Sequence, residues 1–134
     1  MVSLGLVVSS FNRPITEAME KQAREAAADR GATVVETVHV PGAYDTPLAA
    51  DRLARRSDIE AVAVLGAIVT GETGHDRVIA EAAASRLTDV SLERDTPVAL
   101  GITGPDMTAD QAQDRTEYGA RAVESAIDLV EEFQ

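Results

Sequence analysis

The chain has no cysteine, no tryptophan and a single lysine, and its rings are two phenylalanines and two tyrosines. Without cysteine there is no disulfide framework, no thiolate nucleophile and no thiolate metal site. The two histidines, His39 and His75, are too few for a histidine cluster, so no metal is expected. Long apolar runs are also missing: none approaches the ~20 residues that span a bilayer, and the start of the chain carries no basic leader. The expected location is the cytoplasm, with no membrane partner. Positive charge is scarce, 12 basic residues against 23 acidic, and the net charge of -11 is spread along the chain. Such a surface repels phosphate backbones and offers few rings for base stacking, so nucleic acid is not an expected partner. Apart from Lys21, every basic residue is arginine. This balance fits a salt-adapted protein, whose carboxylates keep it hydrated and its copies mutually repelled under strong screening, or an ordinary acidic one.

What is present is an apolar content of 45% in 134 residues, enough for one α/β domain spanning residues 1–134. Residues 2–9 form a continuous apolar and small-residue run that ends in Asn12-Arg13-Pro14, the pattern of a strand buried on both faces and then a loop. From Thr16 onward Ile15, Met19, Ala23 and Ala26 recur at helical spacing, and Gly31 is a natural stop. The alternation repeats. Residues 33–40 are rich in β-branched side chains, Pro41-Gly42 breaks them, and Pro47 stands near the first turn of a helix reaching about Arg56. Residues 61–69 predict a third strand, His75 to about Thr88 an alanine-rich helix, residues 97–103 a fourth strand, and Thr108 caps a last helix.

Strands without polar alternation, each separated by a helix, predict a three-layer α/β/α sandwich around a four-stranded parallel sheet. In such sheets the reactive loops lie beyond the carboxyl ends of the strands. Phe11-Asn12, residues 41–45, residues 69–75 and Gly104-Pro105 should therefore gather along one edge.

The stretch Gly66-Ala67-Ile68-Val69-Thr70-Gly71-Glu72-Thr73-Gly74-His75 has the character of a phosphate cradle, with glycines that permit close backbone approach and a following helix with unpaired amides. It lacks the Lys-Ser/Thr ending of a P-loop and the spacing of a dinucleotide fingerprint. A turn of this kind also occurs for purely structural reasons. His75 begins the helix, and an imidazole there can exchange protons, or can simply cap and pack. His39, at a strand end, reads as structural or surface. Phe11-Asn12 and Tyr44-Asp45 each set a ring beside a polar side chain, suited to stacking a flat heterocycle and bonding its edges, or to loop packing. Arg115 is either a planar clamp for phosphate or a surface arginine paired with carboxylates of residues 110–117.

Taken together, Phe11-Asn12, Val40-Pro41-Gly42-Ala43-Tyr44-Asp45-Thr46-Pro47, Gly71-Glu72-Thr73-Gly74-His75-Asp76 and residues 97–115 fall in the order and spacing of the lumazine synthase family. The chain resembles this family over nearly its whole length. It is most similar to the archaeal branch, through the loop ending in His75-Asp76, the run Gly104-Pro105-Asp106-Met107-Thr108 and residues 118–124. The resemblance implies a flavodoxin-like sandwich in pentameric rings with each active site between adjacent subunits; in some members the rings build a hollow shell. It implies no cofactor. The implied reaction joins 5-amino-6-(D-ribitylamino)uracil to 3,4-dihydroxy-2-butanone 4-phosphate in riboflavin biosynthesis. Carried over by position, Phe11 stacks on the pyrimidine with Asn12 beside it. Ala43, Tyr44 and Asp45 hold the ribityl chain and ring, and Ala67, Ile68 and Val69 present backbone groups to the uracil. Gly71, Glu72 and Thr73 bind the ketose phosphate, and His75 shuttles protons. Leu100 and Arg115 come from the neighbouring subunit. Tyr44-Asp45 stands where Phe-Glu is more usual, and Leu100 where many members carry an aromatic. The stretch from Arg115 to Val123 is shorter than in bacterial relatives, so Arg121 is given no site role.

Two other functions fit the same fold. An archaeal-type riboflavin synthase would consume the lumazine product, but a dismutase of two lumazines has no phosphate for residues 71–73 and Arg115 to hold. A silent shell protein would bind a flavin or lumazine, with little use for a proton shuttle beside a phosphate clamp. The charge also has a consequence for assembly: subunits of -11 each repel one another, so strong screening should stabilise the oligomer. Sedimentation and thermal unfolding across a salt series test this, and a maximum of stability at low ionic strength would contradict it.

Overall fold

The apolar runs become four strands, β1 (Ser3–Ser9), β2 (Thr33–Val40), β3 (Ala61–Ala67) and β4 (Val98–Thr103), in a computed structural model that describes residues 1–71 and 74–134. The strands pair in the order β2-β1-β3-β4, every pair parallel. The two central strands explain the lack of polar alternation. Leu4, Leu6 and Val8 of β1 and Ala61, Ala63 and Leu65 of β3 enter one core, while Val7, Val62 and Val64 enter a second core on the opposite face. Fully burying a leucine or valine contributes about 1.5–3 kcal/mol, so a polar residue at any of these positions would be disfavoured on either side.

Helices cover both faces. On one side α1 (Arg13–Asp29) packs against α5 (Tyr118–Glu132), and on the other α2 (Thr46–Ala54) packs against α3 (His75–Arg94). The stripe expected on α1 is buried at Ile15, Met19 and Ala23 and continues to Ala27. The helix starts earlier than expected, because Pro14 falls in its first turn, where a missing N–H leaves no bond unmade. It ends at Asp29, two residues before Gly31, which takes the left-handed conformation (φ 71°). Helix α3 runs past the expected end at Thr88 to Arg94, since Leu87 and Val90 continue its buried spacing after the alanines stop.

The last helix is two. Thr108 caps only the short α4 (Ala109–Gln113), its hydroxyl accepting from the Gln111 N–H at 3.2 Å. The chain then turns through residues 114–117, where the Thr116 hydroxyl accepts from Gln22 Nε2 of α1 at 2.8 Å, before α5 begins. No helix among the described residues is long and apolar enough to cross a membrane. The architecture is the three-layer α/β/α sandwich expected, flavodoxin-like, with a four-stranded parallel sheet.

The order of strands also makes a crevice. β1 and β3 are neighbours, yet β1 feeds α1 on one face and β3 feeds α3 on the other, so their outgoing loops part beyond the sheet edge. This is a topological switch point, the usual ligand site in open parallel sheets.

The contact between α1 and α5 is closed by Gly119, where a Cβ would collide with the Met19 carbonyl and the backbone beside it. Alanine is favoured over glycine inside a helix by about 1 kcal/mol, but backbone cannot yield as a side-chain tip can, and overpacking costs about 1–3 kcal/mol. Gly119→Ala should therefore lower the thermal unfolding midpoint. A raised midpoint, as helix propensity alone would give, would refute this close packing.

Candidate active site

A cavity of about 440 Å³ occupies the switch point. Three loops build it. The first follows β1, where the Ser10 N–H donates to the Val40 carbonyl at 2.8 Å and the Phe11 N–H to the Pro41 carbonyl at 2.9 Å. These bonds zip the loop to the one after β2 and leave the Phe11 ring at the cavity mouth, 71% exposed.

The second loop is a single 3₁₀ turn, Ala43–Asp45. Asp45 Oδ2 accepts from the Gly42 N–H at 3.0 Å, and the wholly buried Thr46 hydroxyl donates to the Ala43 carbonyl at 2.7 Å. Pro47 starts α2 directly behind. The turn is thus held by its own short side chains, which leaves Ala43, Tyr44 and Asp45 lining the cavity, with the Tyr44 ring 64% exposed.

The third wall is the end of β3. Ala67, Ile68, Val69 and Gly71 line the cavity, and beyond them His75 opens α3. This wall is anchored from the β4 side, by the Ile68 N–H to the Thr103 carbonyl (2.8 Å) and the Thr70 N–H to the Met107 carbonyl (2.7 Å). Gly104 supports it from behind, because any Cβ there would strike the Ile68 carbonyl. Gly104-Pro105 therefore buttresses the wall and lines a groove beside Leu100 instead of the cavity. Glu72 and Thr73, expected to bind phosphate, lie outside the described residues. The first turn of α3 still presents backbone N–H groups and the positive end of the helix dipole beside the cavity, a setting that favours an anion.

Pro41 and Gly42, expected along this edge without a site role, also line the cavity, and Asp76 and Ile79 are additional to the residues expected there. Ile79 lies four residues beyond His75, one helical turn along the same face, which is a spacing legible in the sequence. Asp76 immediately follows His75 and also accepts a long hydrogen bond from the Asp106 N–H at 3.5 Å. Its neighbour Arg77 grips both Asp106 carboxylate oxygens, at 2.9 and 3.0 Å.

Three expected residues stand apart from the cavity of this chain. The Asn12 amide donates to the Ala67 carbonyl at 2.9 Å instead of lining the cavity. Leu100 is 54% exposed on the edge strand β4, and Arg115 is exposed on the turn between α4 and α5. No ion pair forms at Arg115 among the described residues, although carboxylates flank it in sequence. The second histidine belongs elsewhere. His39 Nε2 lies 2.9 Å from Glu20 at the surface of α1. Partial burial opposes ionisation of Glu20, but hydrogen bonds with His39 and Arg24 outweigh it and hold the carboxyl below its usual value.

Chemically, the cavity offers an apolar wall and an exposed aromatic mouth for a flat ring, short polar groups on the 3₁₀ turn, and an imidazole at an anion-favouring helix start. A family model for 6,7-dimethyl-8-ribityllumazine synthase matches residues 1–134. A protein of Halobacterium salinarum named 6,7-dimethyl-8-ribityllumazine synthase is 67% identical over 133 residues, covering 99% of this chain and 100% of its own. Proteins of the same name from Halorubrum lacusprofundi (63% identical, 99% of both chains) and Methanocaldococcus jannaschii (47% identical, 100% of this chain and 95% of its own) extend the likeness. The chain belongs to the 6,7-dimethyl-8-ribityllumazine synthase family.

Proposed function

We propose that the chain condenses 5-amino-6-(D-ribitylamino)uracil with 3,4-dihydroxy-2-butanone 4-phosphate, giving 6,7-dimethyl-8-ribityllumazine, phosphate and water in riboflavin biosynthesis. The observation that carries this reading is the switch-point cavity, which joins Phe11, the Ala43–Asp45 turn and His75 in one space within a chain of this family. The pyrimidine lies against the Phe11 ring and the backbone of Ala67, Ile68 and Val69. Tyr44 and Asp45 receive the ribityl hydroxyls. Gly71, Glu72 and Thr73 bind the phosphate.

The 5-amino group attacks the ketone carbonyl, and loss of water gives an imine. Elimination then releases inorganic phosphate, and the ribityl-bearing amine closes the second ring with loss of another water. Each transfer needs a proton moved between nitrogen and oxygen, and His75 is the group placed to move it. Holding two reactants in register supplies an effective molarity that can reach about 10⁵–10⁸ M, so proximity outweighs proton transfer here. No cofactor enters these steps.

Charge argues for a site shared between subunits. The described cavity walls carry the carboxylates of Asp45 and Asp76 and no lysine or arginine. A phosphate group brings about -1.5 to -2 charges of its own. A cation from outside is required, and Arg115, which has no ion pair among the described residues, suits the task with its planar fork of donors. In a pentameric ring Arg115 and Leu100 of one subunit close the cavity of the next. We place this assembly in the cytoplasm and read the net charge of -11, in a chain with similar proteins in Halobacterium and Halorubrum, as salt adaptation.

Replacing His75 by Ala should lower kcat by up to about 10²-fold while leaving sedimentation of the assembly unchanged. Unchanged turnover would remove the proton-transfer role.

A further inference from the structure

We propose that Asn12 is a positioning residue for the condensation, its side-chain amide tying the loop that carries Phe11 to the wall of residues 67–69 and so setting the width of the cleft that receives the pyrimidine. This rests on the cavity being the synthase site.

The argument begins where the sheet ends. The parallel ladder between β1 and β3 runs from Leu4 paired with Ala61 to Val8 paired with Leu65. Beyond that point each strand is held from its outer side. The loop after β1 is bonded to the loop after β2 through Ser10 and Phe11, and the end of β3 is bonded toward β4 through Ile68 and Thr70. Between these halves lies the seam over which the cavity opens. Among the described residues, the hydrogen bond from Asn12 Nδ2 to the Ala67 carbonyl, at 2.9 Å, is the side-chain bond that crosses it.

Asparagine suits the position on two counts. Asn12 occupies the left-handed region (φ 65°, ψ 47°), which asparagine tolerates better than most side chains with a Cβ. It also precedes the first turn of α1, where an asparagine ordinarily caps its own helix. Here it makes no such cap. The donor goes instead to a carbonyl 55 residues away, next to Ile68 and Val69 of the opposite wall. A flat ring held between Phe11 and that wall senses their separation directly, and a misplacement of about 1 Å can reduce rate about 10²-fold.

Two variants of the assembled enzyme test the strut. Asn12→Asp keeps the size and the tolerance of left-handed backbone but turns the donor into an acceptor facing a carbonyl. Asn12→Gly keeps the backbone freedom and removes the side chain. Both should raise KM for the ribitylaminouracil about tenfold, the scale of one lost hydrogen bond, and change KM for the butanone phosphate less than about twofold. The same loss should appear with a 5,6-diaminouracil that lacks the ribityl chain.

A wild-type KM in Asn12→Asp overturns the proposal. So does a loss that vanishes with the unribitylated ring, which would put Asn12 in contact with the sugar, or failure of both variants to assemble, which would make it a folding residue only. If the unmodified enzyme itself does not turn over the two substrates, the synthase reading falls separately. The strut is then judged by calorimetric titration with 6,7-dimethyl-8-ribityllumazine, and equal affinities of all three proteins overturn it.

Discussion

β1 and β3 lie side by side, but the chain leaves them toward opposite faces of the sheet, and the rest of the molecule depends on that divergence. Parallel strands buried on both faces need helices above and below. Once α1 takes one side and α3 the other, the backbone ladder between the central strands must stop, and here it stops at Val8 and Leu65. The cavity is the space left where pairing ends. Its walls are firm because each is bonded outward, the β1 loop to β2 and the β3 end to β4, and its mouth is aromatic because Phe11 finds no core to enter.

The same constraint accounts for how chemistry is distributed. Phe11 and the backbone of residues 67–69, the groups proposed to hold a flat ring, lie at or just beyond the ends of β1 and β3. His75, the proposed proton carrier, stands at a helix start, where the dipole favours negative charge. Counter-charge for a phosphate is the component that the described walls do not carry. Most arginines are engaged by the abundant carboxylates, as where Asp51 receives Arg94 and Arg55 and is held below its usual pKa by those hydrogen bonds. Among the described residues Arg115, on its turn between α4 and α5, has no such ion pair, which is the ground for proposing that it serves a phosphate site shared between subunits.

Much of this is legible in the sequence, for identifiable reasons. Uninterrupted apolar runs reveal a doubly covered sheet, and the loops that follow them carry the candidate site. Phe11 and residues 43–45 fall in those loops, residues 67–69 at the end of the third run and His75 at the helix start that follows it, and the structure brings them to one cavity. Less is legible where tertiary contact decides. Nothing local marks the break between α4 and α5, because its anchor is Gln22 on a distant helix. The alanines of α3 stop at Ala84 and the helix runs on to Arg94, since Leu87 and Val90 carry the packing onward. Gly104-Pro105 has the composition of a site loop and serves as a buttress, because its glycine lies against the Ile68 carbonyl. The bond between Asn12 and Ala67 joins the loop after β1 to the end of β3 and has no local trace at all.

The most direct measurement is to mix the purified protein, in high salt, with 5-amino-6-(D-ribitylamino)uracil and 3,4-dihydroxy-2-butanone 4-phosphate, following lumazine absorbance and phosphate release above the uncatalysed background. The cavity chemistry described here requires both signals to rise together in equal amounts. A folded, assembled protein that raises neither, or that instead consumes lumazine alone, would contradict it.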